Sequence, residues 1–414
     1  MKTNQDIKNT ILKRLLVSIG ILLLIRVGTF LPVPGINHTD LAFYLQKHSV
    51  TRNLINIFAG NNLFLIGLFS LSIFPSINAS IFIQVILRFS PQLAKLQKEG
   101  DLSGRRKIIR LTRLLTLFWA IAQSLSIVLY LKKVLFNWNY FLTFEVVIWL
   151  VAGAMIVLWL SELITDYGLG NGASLLIYTN IISNLPNIWG KFTSKNFSFL
   201  SGFEISLMLL ISLYGIVVLQ EGARIVPLLS SKQLNQISLE ESIRANNYIP
   251  LRFNQAGVMP IILTTAILIG PSYLINLGNV FNIKFPINFG YLKILYWISY
   301  FLLVLLFSAF YSSIILNPTE ISEQLQKMAV IIPGIRPGVR TSFYLKQLMK
   351  RITLIGAVIL ASLATLPNLL ESVLNTKSLN GLSVTSLLIL AGVVLDLTRE
   401  IKNIYYSNIY NNMY

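Results

Sequence analysis

The chain has 414 residues, no cysteine, a formal net charge of +18 and a mean hydropathy of +0.68. Only 12% of the residues are charged, whereas soluble domains carry about 25%, so the composition excludes an ordinary soluble protein. The lack of cysteine excludes a disulfide framework and a thiol-ligated metal. A charge of +18 would favour nucleic-acid binding in a soluble protein, so the positions of the basic residues must decide its meaning.

Ten apolar stretches divide the chain, and each is about long enough to cross a bilayer. Lipid cannot hydrogen-bond to the backbone, so spans of this length must be helices, whereas barrel strands would be shorter and would alternate. The sequence therefore predicts an all-α integral membrane protein with ten transmembrane helices. The predicted spans are residues 15–33, 63–87, 111–131, 141–163, 172–185, 203–219, 259–277, 291–316, 353–370 and 382–401.

The Lys and Arg residues crowd into alternate connections between the spans. If the amino terminus lies on side one, that side holds 24 of them and the opposite side holds nine, with Arg26 inside the first span. An excess of basic residues marks the cytoplasmic side or its equivalent. The pattern predicts that both termini lie on that side, and it assigns the positive charge to membrane topology.

The number of spans fits two inverted five-helix halves, an arrangement common among transporters. The first half would be residues 1–185, the connection residues 186–202 and the second half residues 203–414. The two halves show no obvious sequence repeat, so ten unrelated helices are the alternative.

Polar residues interrupt the second predicted span at Pro75, Asn78, Ser80 and Gln84. They indicate either a broken helix beside a watery cavity or ordinary helix packing through polar side chains. These residues alone favour neither interpretation.

The string GLGNG, residues 168–172, precedes the short fifth span, which bears Asn180. Its spacing is wrong for a dinucleotide fingerprint. We expect the glycines to form a tight turn into a span that lies inside the bundle.

The sequence contains no HExxH, P-loop, GxSxG or paired-carboxylate pattern, which predicts that the chain is not an enzyme and needs no cofactor or metal. The few ionisable residues within or near the spans are expected to snorkel or to pair. These residues are Arg26, Glu145, Glu162 and Asp396. Their scarcity weakens a coupled-transporter interpretation without excluding it.

Two connections, residues 91–113 and 317–351, are rich in basic residues. The second contains the string PGIRPG at residues 333–338, which is typical of a rigid turn. Basic connections usually only fix the topology, but a rigid turn that presents Arg336 and Arg340 is better suited to docking a partner.

Seven strings occur in the order typical of one family and extend over nearly the whole chain. They are RVGTFLPVPGI (residues 26–36), INASIFIQ (77–84), KEGDLSGRRKI (98–108), GLGNGAS (168–174), NQAGVMP (254–260), NPTE (317–320) and PGIRPG (333–338). On these strings the chain resembles the SecY family, the channel subunits of the Sec protein translocase.

The resemblance implies a clamshell of ten helices that moves unfolded preproteins across the membrane and releases transmembrane segments sideways into the lipid bilayer. It implies a plug at about residues 58–69, and loops at about 220–256 and 317–352 that dock a SecA motor or a ribosome. SecE-like and SecG-like small membrane subunits are the expected partners, with no cofactor and no direct nucleic-acid function. The alternative is a secondary transporter with inverted repeats, and a membrane scaffold or insertase is the third candidate.

The resemblance also assigns roles to particular residues. The pore ring would consist of Ile73, Ile77, Ala173, Ile177, Ile262 and Ile389. The polar residues of the lateral gate would be Asn78, Gln84 and Thr265. Motor or ribosome docking would involve Arg336, Arg340, Arg224 and Lys232. We expect Ile81 and Leu176, in the same two spans as Ile77 and Ile177, to face outward.

Two departures from the family pattern affect these expectations. Ala173 stands where the family has a larger aliphatic residue, so we expect the plug or a neighbouring aliphatic to fill the gap. Lys232 is nearly alone at the centre of its connection, which predicts weaker docking there.

The sequence is rich in Ile, Asn, Lys, Tyr and Phe, the residues favoured by AT-rich coding. With this composition the chain looks like a plastid-encoded member of the family from an alga, and that resemblance implies the thylakoid membrane with the termini in the stroma. The alternative is the plasma membrane of a small-genome bacterium, with the termini in the cytoplasm.

Overall fold

A computed structural model provides the structure of the chain. It describes residues 4–37, 67–90, 102–130, 139–192, 199–230, 248–255, 257–265, 267–268, 289–315, 317–374 and 384–413. These residues are mostly α-helical, as the sequence predicts, and they include four short strands.

The first half of the described chain is a succession of helices: α1 (Asn4–Phe30), α2 (Phe74–Phe89), α3 (Leu102–Tyr130), α4 (Tyr140–Tyr167), α5 (Gly172–Phe192) and α6 (Phe199–Glu221). The second half mixes strands and helices: β1 (Ala223–Pro227), β2 (Leu229–Ser230), β3 (Tyr248–Arg252), α7 (residues 259–265), α8 (Phe289–Ile315), α9 (Pro318–Lys327), β4 (Val330–Ile331), α10 (Val339–Leu374) and α11 (Val384–Met413).

Within the described residues, four helical segments are long and apolar enough to cross a membrane: Arg106–Leu129, Tyr140–Tyr167, Trp297–Lys327 and Val339–Thr365. Three shorter apolar helices are Phe74–Leu87, Gly172–Ser183 and Leu210–Glu221. A multispanning helical protein is therefore confirmed, whereas the number of ten spans stays a prediction.

Contacts divide the chain into two units, Met1–Thr193 together with Val393–Tyr414, and Ser194–Gly392. In the first unit, α4 packs against α1, α3 and α5, and α2 packs against α3. Small residues allow close approach, because a Cβ on Gly153 of α4 would collide with the backbone carbonyl of Leu68. The core around α4 contains Val33, Ile36, Leu71, Ala120, Val128, Val146, Val147, Leu150 and Ala154.

In the second unit, α10 packs against α6, α8 and α9. One apolar cluster joins α6, α7, α8, α10 and α11, and it contains Ile216, Leu219, Ile261, Tyr300, Val304, Leu360, Ala361, Ala364 and Leu388. A separate cluster lies beneath the strands and contains Val226, Leu251, Ile332, Leu345, Leu348, Met349 and Ile352. The strands and the amino-terminal part of α10 therefore have a core of their own.

Glu162 and Asp396, two of the four ionisable residues near the span ends, form ion pairs, and Arg26 lies over an aromatic ring. Arg113 of α3 donates from Nη2 to Glu162 Oε2 at 2.7 Å and from Nε to Glu162 Oε1 at 3.1 Å, a bidentate pair. Asp396 accepts from Arg399 Nη1 at 3.2 Å, and the Arg26 guanidinium lies 5.5 Å from the centre of the Phe30 ring.

Candidate functional site

Residues 67–73 form a packed turn that leads into α2. Gly67 bridges to Pro32, and Leu68 N donates to Leu31 O at 2.8 Å. A Cβ on Gly67 would collide with the Thr29 carbonyl, so only glycine fits this approach. Of the predicted plug at about 58–69, residues 58–66 lie outside the described residues, and the rest belongs to this turn.

The first predicted pore-ring residues stand where the turn ends. Ile73 is the N-cap of α2, and its carbonyl accepts from Ser76 N and Ile77 N, both at 3.1 Å. Ile73 and Ile77 are 2% and 6% exposed. Pro75 lies in the first turn of α2, where its missing N–H costs nothing, so it starts the helix. The predicted interruption of the second span is thus the beginning of α2 at Phe74.

The GLGNG string forms the tight turn that the sequence predicts. Gly168 N donates to Ile164 O at 2.8 Å and ends α4, and Gly170 has a φ of +81°, which favours glycine. Leu169 N donates to Ser18 Oγ at 2.8 Å. Asn171 Oδ1 accepts from Ala173 N at 3.0 Å, which caps the start of α5.

The remaining ring residues have mixed environments. Ala173 and Ile177 are half-buried on α5, Ile262 is 8% exposed on α7, and Ile389 is half-buried on α11. Ala173 and Ile177 are four residues apart on one helix and share a face.

Two residues do not lie where the sequence analysis expects. Ile81 and Leu176 are 7% and 2% exposed, so the expectation that they face outward is wrong. Ile81 belongs to α2, which packs against α3, and Leu176 belongs to α5, which packs against α4. The periodicity of an apolar helix identifies its faces, but it does not reveal which faces other helices cover.

The predicted polar gate residues are all half-buried: Asn78 and Gln84 on α2, and Thr265 on α7. Thr265 Oγ1 donates to Ile262 O at 2.8 Å within its own helix. The hydroxyl of Thr265 is therefore satisfied one turn from a predicted ring residue.

The two predicted docking connections meet in a feature that the sequence analysis missed. Strand β1 pairs antiparallel with β3, and β2 pairs with β4 through Leu229 opposite Ile331 and Ser230 opposite Val330. The apolar cluster beneath these strands joins them to α10. We call residues 223–230, 248–253 and 317–352 the basic platform. The β-branched residues Ile225 and Val226 in β1 were the available signal, but β2 and β4 are too short to be predicted from the sequence.

Helix α9 enters the basic platform through a capped terminus in the string NPTE. The Asn317 side chain accepts from Thr319 N at 3.3 Å and from Thr319 Oγ1 at 2.7 Å, and it donates to Glu320 Oε1 at 2.9 Å. Pro318 begins the helix, a position that proline favours.

The PGIRPG string of the basic platform is the rigid turn that the sequence predicts. Gly334 and Gly338 have φ values of +76° and +97°. Ser322 Oγ donates to Gly338 O at 2.8 Å, and Thr341 Oγ1 donates to Arg336 O at 2.9 Å. The carboxyl-terminal half of the turn is therefore held by hydroxyl groups of α9 and α10.

The turn presents charge and apolar surface together. Arg336, Arg340 and Arg224 are exposed, as predicted docking residues must be, and Lys232 lies outside the described residues. Val339 and Phe343 beside the arginines are 86% and 69% exposed. Large apolar side chains outside the core indicate a contact surface when they adjoin a charged rim. Among the described residues, no group of His, Cys, Asp or Glu could hold a metal ion.

The chain is similar to known proteins in sequence and in fold. The family model SecY matches residues 67–398. A protein translocase subunit SecY of Trieres chinensis is 56% identical over 429 residues, covering 100% of both chains. The corresponding protein of Porphyra purpurea is 42% identical over 418 residues, with 100% of both chains covered.

Solved structures show the same fold at low identity. A SecY structure, reported for the role of the plug domain in stabilising the closed channel, matches with a TM-score of 0.66 and 16% identity, covering 96% of this chain and 93% of the other. Sec61 in a canine ribosome-channel complex matches with a TM-score of 0.60 and 17% identity, with coverage of 96% and 93%. The chain therefore belongs to the SecY family.

Proposed function

We propose that the chain is the protein-conducting channel subunit of a Sec translocase, which moves unfolded preproteins across the membrane and releases transmembrane segments into the lipid. The observation that carries this function is the 56% identity to a protein translocase subunit over the full length of both chains. Such a subunit performs no bond chemistry, so the energy of transport comes from a partner.

Reconstitution tests this function directly. The chain, purified with its small subunits, is placed in liposomes with a SecA motor, ATP and a radiolabelled preprotein. Protease-protected preprotein that depends on ATP is the expected result. Uptake of a small solute without preprotein transport would instead establish the secondary-transporter alternative.

The proposed architecture is ten helices in two inverted halves, residues 1–185 and 203–414, joined by residues 186–202. The ten apolar stretches and the SecY fold support it. The proposed orientation places both termini and the basic connections on the stromal or cytoplasmic side. Single cysteines at Ser103 and Ser230 should be labelled from that side, and labelling only from the opposite side would contradict the orientation.

The proposed pore ring consists of Ile73, Ile77, Ala173, Ile177, Ile262 and Ile389. A narrow apolar ring excludes water when empty, yet it offers a passing chain no strong binding site. The cap at Ile73 and the hydrogen bonds of its carbonyl support a fixed position for the first two residues. The half-buried Ala173 and Ile177 share one face of α5, which fits a lining role.

The proposed lateral gate contains Asn78, Gln84 and Thr265 as its polar residues. Half-buried polar groups at membrane depth are tolerated against protein or water but not against lipid tails. The partial exposure of Asn78, Gln84 and Thr265 is consistent with this requirement.

The basic platform is the proposed docking surface for a SecA motor or a ribosome, with Arg336, Arg340, Arg224 and Lys232 as its contacts. Arginine forms bidentate bonds with carboxylates and phosphates, and a rigid turn lowers the entropy lost on binding. The strand pairing and the separate core support a surface that keeps its shape without a partner.

The remaining proposed partners are SecE-like and SecG-like membrane subunits, and the proposed location is the thylakoid membrane of a plastid. High identity to algal relatives supports the plastid, and a cyanobacterial protein of Synechococcus elongatus at 39% identity leaves the bacterial plasma membrane as the alternative. Copurification from isolated thylakoids should recover subunits of one to three spans. Recovery of the chain only from another membrane would contradict the location.

A further inference from the structure

Ser72 has a backbone conformation that L residues rarely adopt. Its φ is +49°, in the left-handed region where Cβ crowds a carbonyl oxygen. The residue is 7% exposed, so this is not a loose surface turn. A strained conformation of this kind persists only where its surroundings hold it in place.

A hydrogen bond from Asn180 of α5 helps to keep Ser72 in this conformation. Asn180 Nδ2 donates to Ser72 Oγ at 3.1 Å, and Ser72 N donates to Phe69 O at 2.9 Å. Leu71 is fully buried in the core around α4. The backbone is therefore fixed by packing before Ser72 and by a hydrogen bond at Ser72.

Both partners of this hydrogen bond adjoin the proposed pore ring. Asn180 lies three residues after Ile177 and seven after Ala173, so the three residues share one face of α5. Ser72 immediately precedes Ile73, whose carbonyl binds the first turn of α2 and so fixes Ile77. The hydrogen bond thus connects the ring residues of α2 with those of α5.

We propose that the Asn180–Ser72 hydrogen bond is a latch that positions the ring residues of α2 relative to those of α5 in the closed channel. The proposal rests on the proposed function, because it assumes that these residues line the pore. Asn180 is a positioning residue, which acts through Ser72 on Ile73.

A neutral bond between an amide and a hydroxyl suits a latch. Its net contribution is modest, since either group can exchange its partner for water. Once a translocating chain admits water to the pore, the competition from water increases. Without the bond, α5 is no longer tied to the turn before α2, so Ile73 and Ile77 can shift relative to Ala173 and Ile177.

The test uses the full chain with its small subunits in planar bilayers, and it compares Asn180→Ala, Ser72→Gly and the double variant. Glycine adopts the left-handed region freely, so Ser72→Gly removes the hydroxyl without adding strain. Each variant should raise the resting ion conductance about two- to tenfold, the range given by the net contribution of one buried hydrogen bond. The double variant should leak no more than the leakier single variant, because both changes break one bond.

Thr179→Val is the matched control. Thr179 Oγ1 donates to Leu175 O at 2.7 Å within α5, so its loss removes a hydrogen bond without touching the latch. The control should conduct like the unchanged channel. Equal conductance of Asn180→Ala and Thr179→Val would overturn the latch, and so would additive leaks in the double variant. If Asn180→Ala does not fold, Ser72→Gly against the same control decides.

A ring variant, Ile77→Ser with Ile177→Ser, separates the latch from the pore assignment. Leak from the ring variant without leak from the Asn180→Ala or Ser72→Gly channel overturns the latch and leaves the proposed function intact. A ring variant that does not leak overturns the pore assignment, and the latch falls with it.

Discussion

The turn before α2 and the PGIRPG turn of the basic platform are built by similar means but expose opposite chemistry. Each contains at least one glycine that a side chain would disturb, and each is fixed by a hydroxyl group from a neighbouring segment. The turn before α2 buries Leu71 and Ile73, whereas the platform turn exposes Arg336 and Arg340. A rigid backbone is thus common to both regions. The surroundings of each turn determine whether its side chains pack into a core or remain exposed to a binding partner.

The largest expected effect comes from reversing the charge at the exposed turn. Arg336→Glu should cost about 2–5 kcal/mol of docking free energy, the range for truncating one partner of a desolvated charge pair. Motor-driven transport should then fall severely while the channel stays folded. Flotation binding of SecA to proteoliposomes measures this effect. Lys402→Glu, the same charge change at an exposed residue of α11 outside the basic platform, is the control, and equal loss in both variants would contradict a specific role for the turn.

The next effect tests the buried turn through the ring residues. Ile77→Ser with Ile177→Ser should let water enter the constriction, because burying an isoleucine side chain is worth about 1.5–3 kcal/mol that serine does not supply. Resting conductance in planar bilayers should rise and signal-sequence selectivity should relax. The control is Phe82→Ser with Ile182→Ser, on exposed positions of the same two helices. Equal leak from both pairs would mean that the wrong faces are assigned to the pore.

A third effect tests the close packing that supports the buried turn. Gly153→Ala should destabilise the folded protein by about 1–3 kcal/mol, the typical cost of overpacking, since the new Cβ meets the Leu68 carbonyl. Thermal unfolding in detergent measures the change. Gly20→Ala is the matched control in α1, where a Cβ has no atom within 4 Å. Its stability should not fall, because alanine favours helices over glycine. Equal loss of stability in both variants would contradict the packing argument.

The smallest effect concerns the entry of α9 into the basic platform. Asn317→Ala removes the cap of α9 and should cost about 0.5–2 kcal/mol of stability. The change should lower the unfolding temperature slightly and weaken SecA binding less than Arg336→Glu does. Asn317→Asp keeps a capping oxygen and should restore most of the stability. A loss as large as that of Arg336→Glu would show that the cap contributes directly to docking.

The two turns also differ in how far the sequence could predict them. PGIRPG and GLGNG indicate tight turns because glycine allows backbone conformations that other residues avoid, whereas proline fixes its own φ angle. The left-handed Ser72 carries no comparable signal, since serine rarely adopts that region. Pro75 was interpreted as an interruption of the second span, whereas it lies in the first turn of α2. The sequence allowed both interpretations, because proline can end a helix and can also stand in the first turn of one.

The sequence by itself determined the class of protein, the helical character of the spans, the PGIRPG and GLGNG turns and the family. These properties depend on local composition and on the fact that a segment in lipid must hydrogen-bond its own backbone. A single segment is enough to show both. The tertiary structure decided the pairing of β2 with β4, the burial of Ile81 and Leu176, and the hydrogen bond between Ser72 and Asn180. Each of these features depends on a contact between two separate segments. The sequence of an apolar helix does not specify which neighbour will cover each of its faces.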